Sequence, residues 1–243
     1  MDFRAAFTEI AAEAMKDDIK FADFVDAYRA FLVDVEDAVL PPQVTRRGIE
    51  HFGGAQSKQF MVQLLPTIQQ YMRKFPQKTH FSILDVGPGA AFGSNLLASM
   101  YQTPFLGYTA TVHTTDIIDH YIKFAKVFCP NVVTHQADIY DVAKSYDIVI
   151  ASHVIEHVPK WRSFVKRLKE LSRGIAIVCS PYRENPEMLT RGHCNIFDDE
   201  MLEEMKPEHV QLTESPAWGQ FMKPPYKMFI ATLKGESTYT HAI

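Results

Sequence analysis

Two groups of residues in this chain are spaced for chemistry. The first is a carboxylate beside a glycine turn: Asp85, then Gly87-Pro88-Gly89, within Ile83-Leu-Asp-Val-Gly-Pro-Gly-Ala-Ala-Phe-Gly93. Glycines there let the backbone bend tightly and let a ligand approach where a side chain would clash. The second is a set of polar side chains suited to proton transfer, His153, His157 and His193, with Tyr182 between them. An imidazole changes charge near neutral pH and so serves as a base or a positioning group. His153 and His157 stand i, i+4 and share a face if their segment is helical. Glu156 is within reach of either.

The elements that must position these residues follow from short apolar runs. Residues 81–84 form a run bounded by turn residues, as a buried parallel strand does. The glycine turn follows, and then a helix over residues 91–100. That order places helix N–H groups at the carboxyl end of a sheet, where nucleotide-like ligands bind in open α/β folds. Further strands are expected at 111–115, 132–135, 148–151 and 174–179, and helices at 161–171 and 198–205. Pro159 suits the first turn of the former helix. Two glycine-loop chemistries are excluded. The third glycine of a Gly-x-Gly-x-x-Gly dinucleotide turn would fall at Phe92, which argues against a nicotinamide oxidoreductase. The phosphate-cradling loop that ends in Gly-Lys-Ser/Thr is absent.

The pattern Asp85-x-Gly87-x-Gly89-x-Ala91 resembles the first motif of the class I S-adenosylmethionine-dependent methyltransferases, which often has glycine where Ala91 stands. The resemblance continues in order over residues 81–213. It places Asp116, beside Ile117, at the end of the second strand, where a carboxylate accepts from both ribose hydroxyls. Residues 101–108 then read as an inserted loop, and Asp119 is the alternative if the strand ends later. The resemblance places Asp138 and Ile139 at the adenine. The segment Tyr146-Asp-Ile-Val-Ile-Ala-Ser-His-Val-Ile-Glu-His-Val-Pro159 is similar to the fourth motif of small-molecule members, with Ser152 and His153 at the cofactor crevice. Gly192-His-Cys-Asn-Ile-Phe197 resembles a segment that recurs after the fifth strand.

The implied fold is a Rossmann-like, seven-stranded, mostly parallel sheet with helices on both faces. The implied activity is methyl transfer from S-adenosylmethionine to an oxygen or nitrogen of a small or carrier-linked metabolite, such as a sugar, a glycan end or a polyketide-like acceptor. His157 is the first candidate for the base or acceptor-positioning group, followed by His193, His153 and Tyr182. Ala151-Ser152-His153-Val154 stands where DNA- and protein-methylating members carry Asn/Asp-Pro-Pro-Tyr/Phe. The alternative function is a non-catalytic cofactor-binding or scaffold protein on the same fold. No metal is expected: a zinc set of His153, His157 and Cys194 lacks the His-Glu-x-x-His order.

The 243 residues suffice for one large α/β domain with an appendage. Composition, 47% hydrophobic and 22% charged, is that of a globular protein. A net charge of −4 and the lack of a basic stripe argue against nucleic acid as a partner. Lys160, Arg162, Lys166, Arg167 and Lys169 read as the solvated face of a helix. Cys129, Cys179 and Cys194 are odd in number and widely spaced, which suits free thiols, with Cys179 in the core. No apolar stretch is long enough for a membrane span, and the N-terminus lacks a signal peptide's apolar core. A cytoplasmic location is expected.

Residues 1–78 read as a helical extension or lid, 79–235 as the catalytic domain and 236–243 as a tail. One aromatic stripe runs from Phe21 to Val35, and residues 44–51 form a short helix after Pro41-Pro42. A second stripe, Phe60, Met61, Leu64, Leu65, Ile68, Tyr71 and Met72, is expected to pack on the sheet. The extension would cover the substrate or join two copies as a homodimer. Residues 209–213 and 228–233 should close the sheet as an antiparallel hairpin. The aromatic and proline-rich connection, Pro216 to Tyr226, is either part of the acceptor pocket or a surface loop.

Overall fold

A computed structural model describes residues 55–104, 107–189, 192–215 and 227–237. The first aromatic stripe, the 44–51 helix, the Pro216 to Tyr226 connection and most of the tail lie outside the described residues. Seven strands form one sheet in the order β3-β2-β1-β4-β5-β7-β6. They are β1 (His80–Val86), β2 (Thr109–Asp116), β3 (Val133–Gln136), β4 (Tyr146–Ser152), β5 (Ser172–Pro181), β6 (His209–Glu214) and β7 (Lys227–Lys234). The first five run parallel. β7 runs antiparallel to both β5 and β6, which gives the expected hairpin, with β7 inserted between the other two.

The helices among the described residues are α1 (Ala55–Arg73), α2 (Phe92–Met100), α3 (Asp119–Phe128), α4 (Trp161–Leu171) and α5 (Asp199–Met205). Alternation along the strands divides the core in two. On β4, Val149 and Ala151 face a layer built by α4 and α5, with Trp161, Phe164, Leu168 and Leu202. Ile148 and Ile150 face the opposite layer, built by α1 and α2, with Leu64, Ile68 and Leu97. Every residue of β4 up to Ala151 is buried, so the strand reads as a continuous apolar run after Asp147 and not as an alternation. Full burial of one such side chain is worth about 1.5–3 kcal/mol.

The second stripe is α1, and its Phe60, Met61, Leu64, Ile68 and Met72 are all buried in the sheet core. α1 also reaches the glycine segment. A Cβ at Gly93 would lie 2.5 Å from the Ser57 carbonyl oxygen, and the Gly93 N–H donates to Ser57 Oγ at 2.9 Å. Only a glycine lets the start of α2 approach α1 this closely.

The buried Asp147 ties the sheet's lower edge together. Its carboxylate accepts from Ser82 N–H (2.8 Å), Lys78 Nζ (2.7 Å) and the Arg173 guanidinium (3.1 Å). Cys129 and Cys179 are buried free thiols and Cys194 is exposed. On α4 Arg162 and Lys166 are solvated as expected, but Arg167 donates to the Ile139 and Val142 carbonyls and Lys169 pairs with Glu236, so both are only partly exposed. Among the described residues no helix is long and apolar enough to cross a membrane. Pro159 does not open α4: the helix begins at Trp161, with Lys160 at its N-cap.

Candidate active site

The carboxyl ends of β1 and β4 open onto a cleft of about 410 Å³. One side is the glycine turn. Gly87, Gly89 and Ala91 all take left-handed backbone conformations, with φ of 66°, 57° and 59°. The alternation curls the chain and turns its N–H groups toward the sheet end. Gly87 N–H donates to the Thr115 carbonyl at 2.8 Å, and Gly89 N–H to Asp116 Oδ2 at 3.2 Å. The Asp116 carboxylate, at the end of β2, also accepts from Ile118 N–H at 2.9 Å. β2 therefore ends at Asp116, and Asp119 opens α3. A Cβ at Gly89 would meet nothing within 4 Å, so open space for a ligand stands over the turn. At Gly87 the same atom would lie 2.8 Å from a Val154 methyl.

Asp85 lies under this turn and lines the cleft. It is buried and accepts from Ser94 Oγ at 2.7 Å. Burial pushes its carboxyl up to about 7, the Ser94 hydroxyl draws it back, and the neighbouring Asp116 charge raises it further.

The opposite side is the turn after β4. The segment is not α-helical, so the i, i+4 pairing of His153 and His157 on one face is not realised. His153 itself takes a left-handed conformation (φ 57°), and Ile155–His157 is a single 3₁₀ turn. The His153 ring packs edge-on against Phe60, with centroids 3.7 Å apart. His157 instead meets His193, with ring centroids 4.7 Å apart.

What brings His193 there is the Gly192-His-Cys-Asn segment, stapled onto the post-β4 turn. Cys194 N–H donates to the Glu156 carbonyl at 2.8 Å. The Asn195 side-chain amide donates to the Ile155 and Val158 carbonyls at 3.0 and 2.8 Å. His193 Nδ1 bonds Glu184 Oε2 at 2.7 Å, and both side chains are buried. His157 Nδ1 bonds the Gly192 carbonyl at 3.0 Å. Burial lowers the His157 pKa, the Gly192 carbonyl opposes that, and His193 adds to it. Glu156 accepts from Ser180 Oγ at 2.8 Å, and burial raises its carboxyl to about 8.

The cleft thus gathers Asp85, Gly87, Pro88, Gly89, Ser152, His153, His157 and His193 from the sequence candidates. Tyr182 is placed elsewhere: it is not on the cleft wall, and its hydroxyl donates to Asp199. Asp116 stands behind the glycine turn, and Ile117 beside it is 68% exposed. Asp138 caps its own 3₁₀ turn through Tyr140 N–H at 3.0 Å, while Ile139 is buried against the α4 layer. Sequence reasoning missed Glu184, Gln56, Ser57, Tyr121 and the cleft-facing role of Phe60. Gln56, Ser57 and Phe60 recur at helical spacing on α1, a signal visible in sequence only once the cleft's position is known.

Residues 56–223 match a family model described as a methyltransferase domain. Over 104 residues, 41% of the chain, it is 28% identical to (S)-coclaurine N-methyltransferase from Papaver somniferum. Over 125 residues, 49% of the chain, it is 23% identical to a polyketide synthase-nonribosomal peptide synthetase from Talaromyces wortmannii. The matches span 29% and 4% of those relatives' lengths. The fold also resembles magnesium protoporphyrin IX methyltransferase from Synechocystis PCC 6803, solved with bound S-adenosylmethionine. The TM-score is 0.50 at 13% identity, covering 73% of this chain and 80% of that one.

Proposed function

We propose that this chain, which belongs to the methyltransferase-domain family, transfers a methyl group from S-adenosylmethionine to an oxygen or nitrogen of a small or carrier-linked metabolite. A sugar, a glycan end or a polyketide-like acceptor fits. The observation that carries this reading is the two-sided cleft, with a carboxylate-backed glycine turn facing three imidazoles.

S-adenosylmethionine presents its methyl on a positive sulfonium sulfur and supplies the reactivity. The chain's own residues bind, orient and manage the proton. Asp85 and the bend at Gly87-Pro88-Gly89 hold the donor's amino-acid end, beside Ser152. Asp116 and Ile117 would take the ribose and Asp138 the adenine, whereas Ile139, packed against the α4 layer, would support that wall from behind. Ionised Asp85 would complement a cation, and the open face over Gly89 leaves room for close backbone approach. His157 and His193 face the acceptor. They orient its hydroxyl or amine and receive the proton that methylation releases, with His153 beside them. Fixing the acceptor in line with the methyl supplies a large share of the rate.

The test joins calorimetry with S-adenosylhomocysteine to a labelled-methyl screen of sugars, alcohols and amines. Binding plus transfer to a small acceptor supports the reading; a chain that binds neither donor nor product is a scaffold on this fold. His157→Ala is expected to retain cofactor binding and to slow turnover by about 10²–10⁴-fold. Wild-type turnover in that variant removes His157 from the assignment.

A further inference from the structure

Glu156, His157 and His193 place one ligand atom each within 4.8 Å of the others, and all three line the cleft. This set differs from His153, His157 and Cys194, the combination that sequence alone suggests, because His193 arrives from a loop beyond β5. The surroundings of both rings are those of metal-binding imidazoles. A carbonyl oxygen only accepts, so the bond between His157 Nδ1 and the Gly192 carbonyl puts the ring proton on Nδ1. His193 Nδ1 likewise faces the buried Glu184 carboxylate at 2.7 Å. In their neutral forms both rings then carry the lone pair on Nε2. Metal-ligating histidines almost always carry such a carbonyl or carboxylate behind the distal nitrogen, which fixes the tautomer and raises ligand basicity. The Ser180 hydroxyl holds Glu156 in the same manner at 2.8 Å.

We propose that Glu156, His157 and His193 bind a divalent transition-metal ion on the acceptor side of the cleft. Two imidazoles and one carboxylate suit zinc, cobalt or ferrous iron, whereas magnesium and calcium prefer all-oxygen shells. Metal–donor distances of about 2.0–2.2 Å require the three groups to draw together, a movement within the reach of a side-chain rotation at the exposed His157. Three protein ligands leave coordination positions open to the cleft. Resting on the methyltransferase reading, those positions take an acceptor oxygen and favour substrates that chelate, such as vicinal diols or hydroxy-carbonyl compounds. A hydroxyl bound there becomes more acidic. Its O–H bond breaks and the proton passes to cleft water; the oxygen's electron pair forms the new O–CH₃ bond as the donor's S–CH₃ bond breaks and returns its electron pair to sulfur. The two imidazoles would then act on the acceptor through the ion.

The experiment titrates chelator-stripped full-length chain with zinc chloride by calorimetry and with cobalt chloride by visible absorption. The expected result is one saturable site per chain. His157→Ala and His193→Ala each abolish it, and Glu184→Gln, which alters only the group behind His193, weakens it by about 10–100-fold. Cys194→Ser and His113→Ala retain wild-type affinity, which excludes the neighbouring thiol and the exposed His113–His135 pair as the site. Thermal melts confirm that each variant is folded. Lack of one-to-one binding in the wild type, or unchanged binding in either histidine variant, overturns the proposal. S-adenosylhomocysteine binding in the same samples separates the two readings. If it persists without metal binding, only the metal site falls; if it is absent from the wild type, the methyltransferase reading falls.

Discussion

Ala91 stands in the left-handed region, at φ 59°, a conformation that favours glycine. The preference has a physical cause, because a Cβ is strained there. In this chain the methyl is buried beside Ala125 and Cys129, and those contacts offset part of the strain. Asp85 shows a second cost accepted at the site: a carboxyl held up to about 7 by burial. Its folded value lies above the ordinary 3.8, so the folded chain keeps a proton that the unfolded chain loses. Stability from this group is full below about pH 4 and declines as pH rises toward 7, where the folded carboxyl ionises. Asp85→Asn is expected to match the wild type at pH 4 and to exceed it by roughly 2–4 kcal/mol at pH 8. Denaturant unfolding across that range checks this, and parallel curves for the two proteins would refute it.

At the scale of elements, two junctions decide whether the cleft forms. The first is the staple between the Gly192 segment and the post-β4 turn. Asn195→Ala deletes two hydrogen bonds to the Ile155 and Val158 carbonyls. A loss of about 1–3 kcal/mol is expected, with a larger proportional fall in turnover than in cofactor affinity, because the staple holds His193 and not the glycine turn. Equal losses in both would place the staple's role elsewhere. The second junction is Asp147, which joins β1, β4 and β5 through Ser82, Lys78 and Arg173. Burial alone would raise its pKa, but Lys78, Ser82 and Arg173 outweigh it, and the net shift is downward. Its contribution is therefore present above about pH 4 and is lost as acid protonates it. Asp147→Ala should cost about 2–3 kcal/mol at pH 7, less than a fully buried pair because Lys78 reaches solvent. The deficit should shrink toward pH 3, and a pH-independent deficit would show that packing, not charge, is at stake.

For the molecule as a whole, the cleft lies at the sheet's topological switch point, between β1 and β4, with the α1 segment reaching over it. Its walls come from α1, the β1–α2 turn, α3, the post-β4 turn and the post-β5 loop, so a ligand there couples most of the fold. S-adenosylhomocysteine at about 100 times its dissociation constant is expected to stabilise the chain by about 2.7 kcal/mol. Thermal melts would show a single transition moving upward; an unmoved midpoint at saturation would contradict binding to the folded state.

Local chain chemistry alone determined much of this protein. The buried strands announce themselves as apolar runs between turn residues, α4 by its repeating Trp161, Phe164, Val165, Leu168 and Leu171, and the glycine turn by Gly87 and Gly89 after Asp85. These signals are legible because each depends on neighbours within a few residues. The acceptor side of the cleft was not legible in the same way. His157 and His193 are far apart in sequence and meet only because β4 and β5 are parallel neighbours whose exit turns share one edge of the sheet. Glu184 carries no motif, and only that fold-back sets it behind His193. Tyr182 looked as eligible as the histidines until the β5–α5 packing directed its hydroxyl to Asp199. Backbone preference is written residue by residue, whereas the meeting of distant side chains depends on strand order and crossing loops.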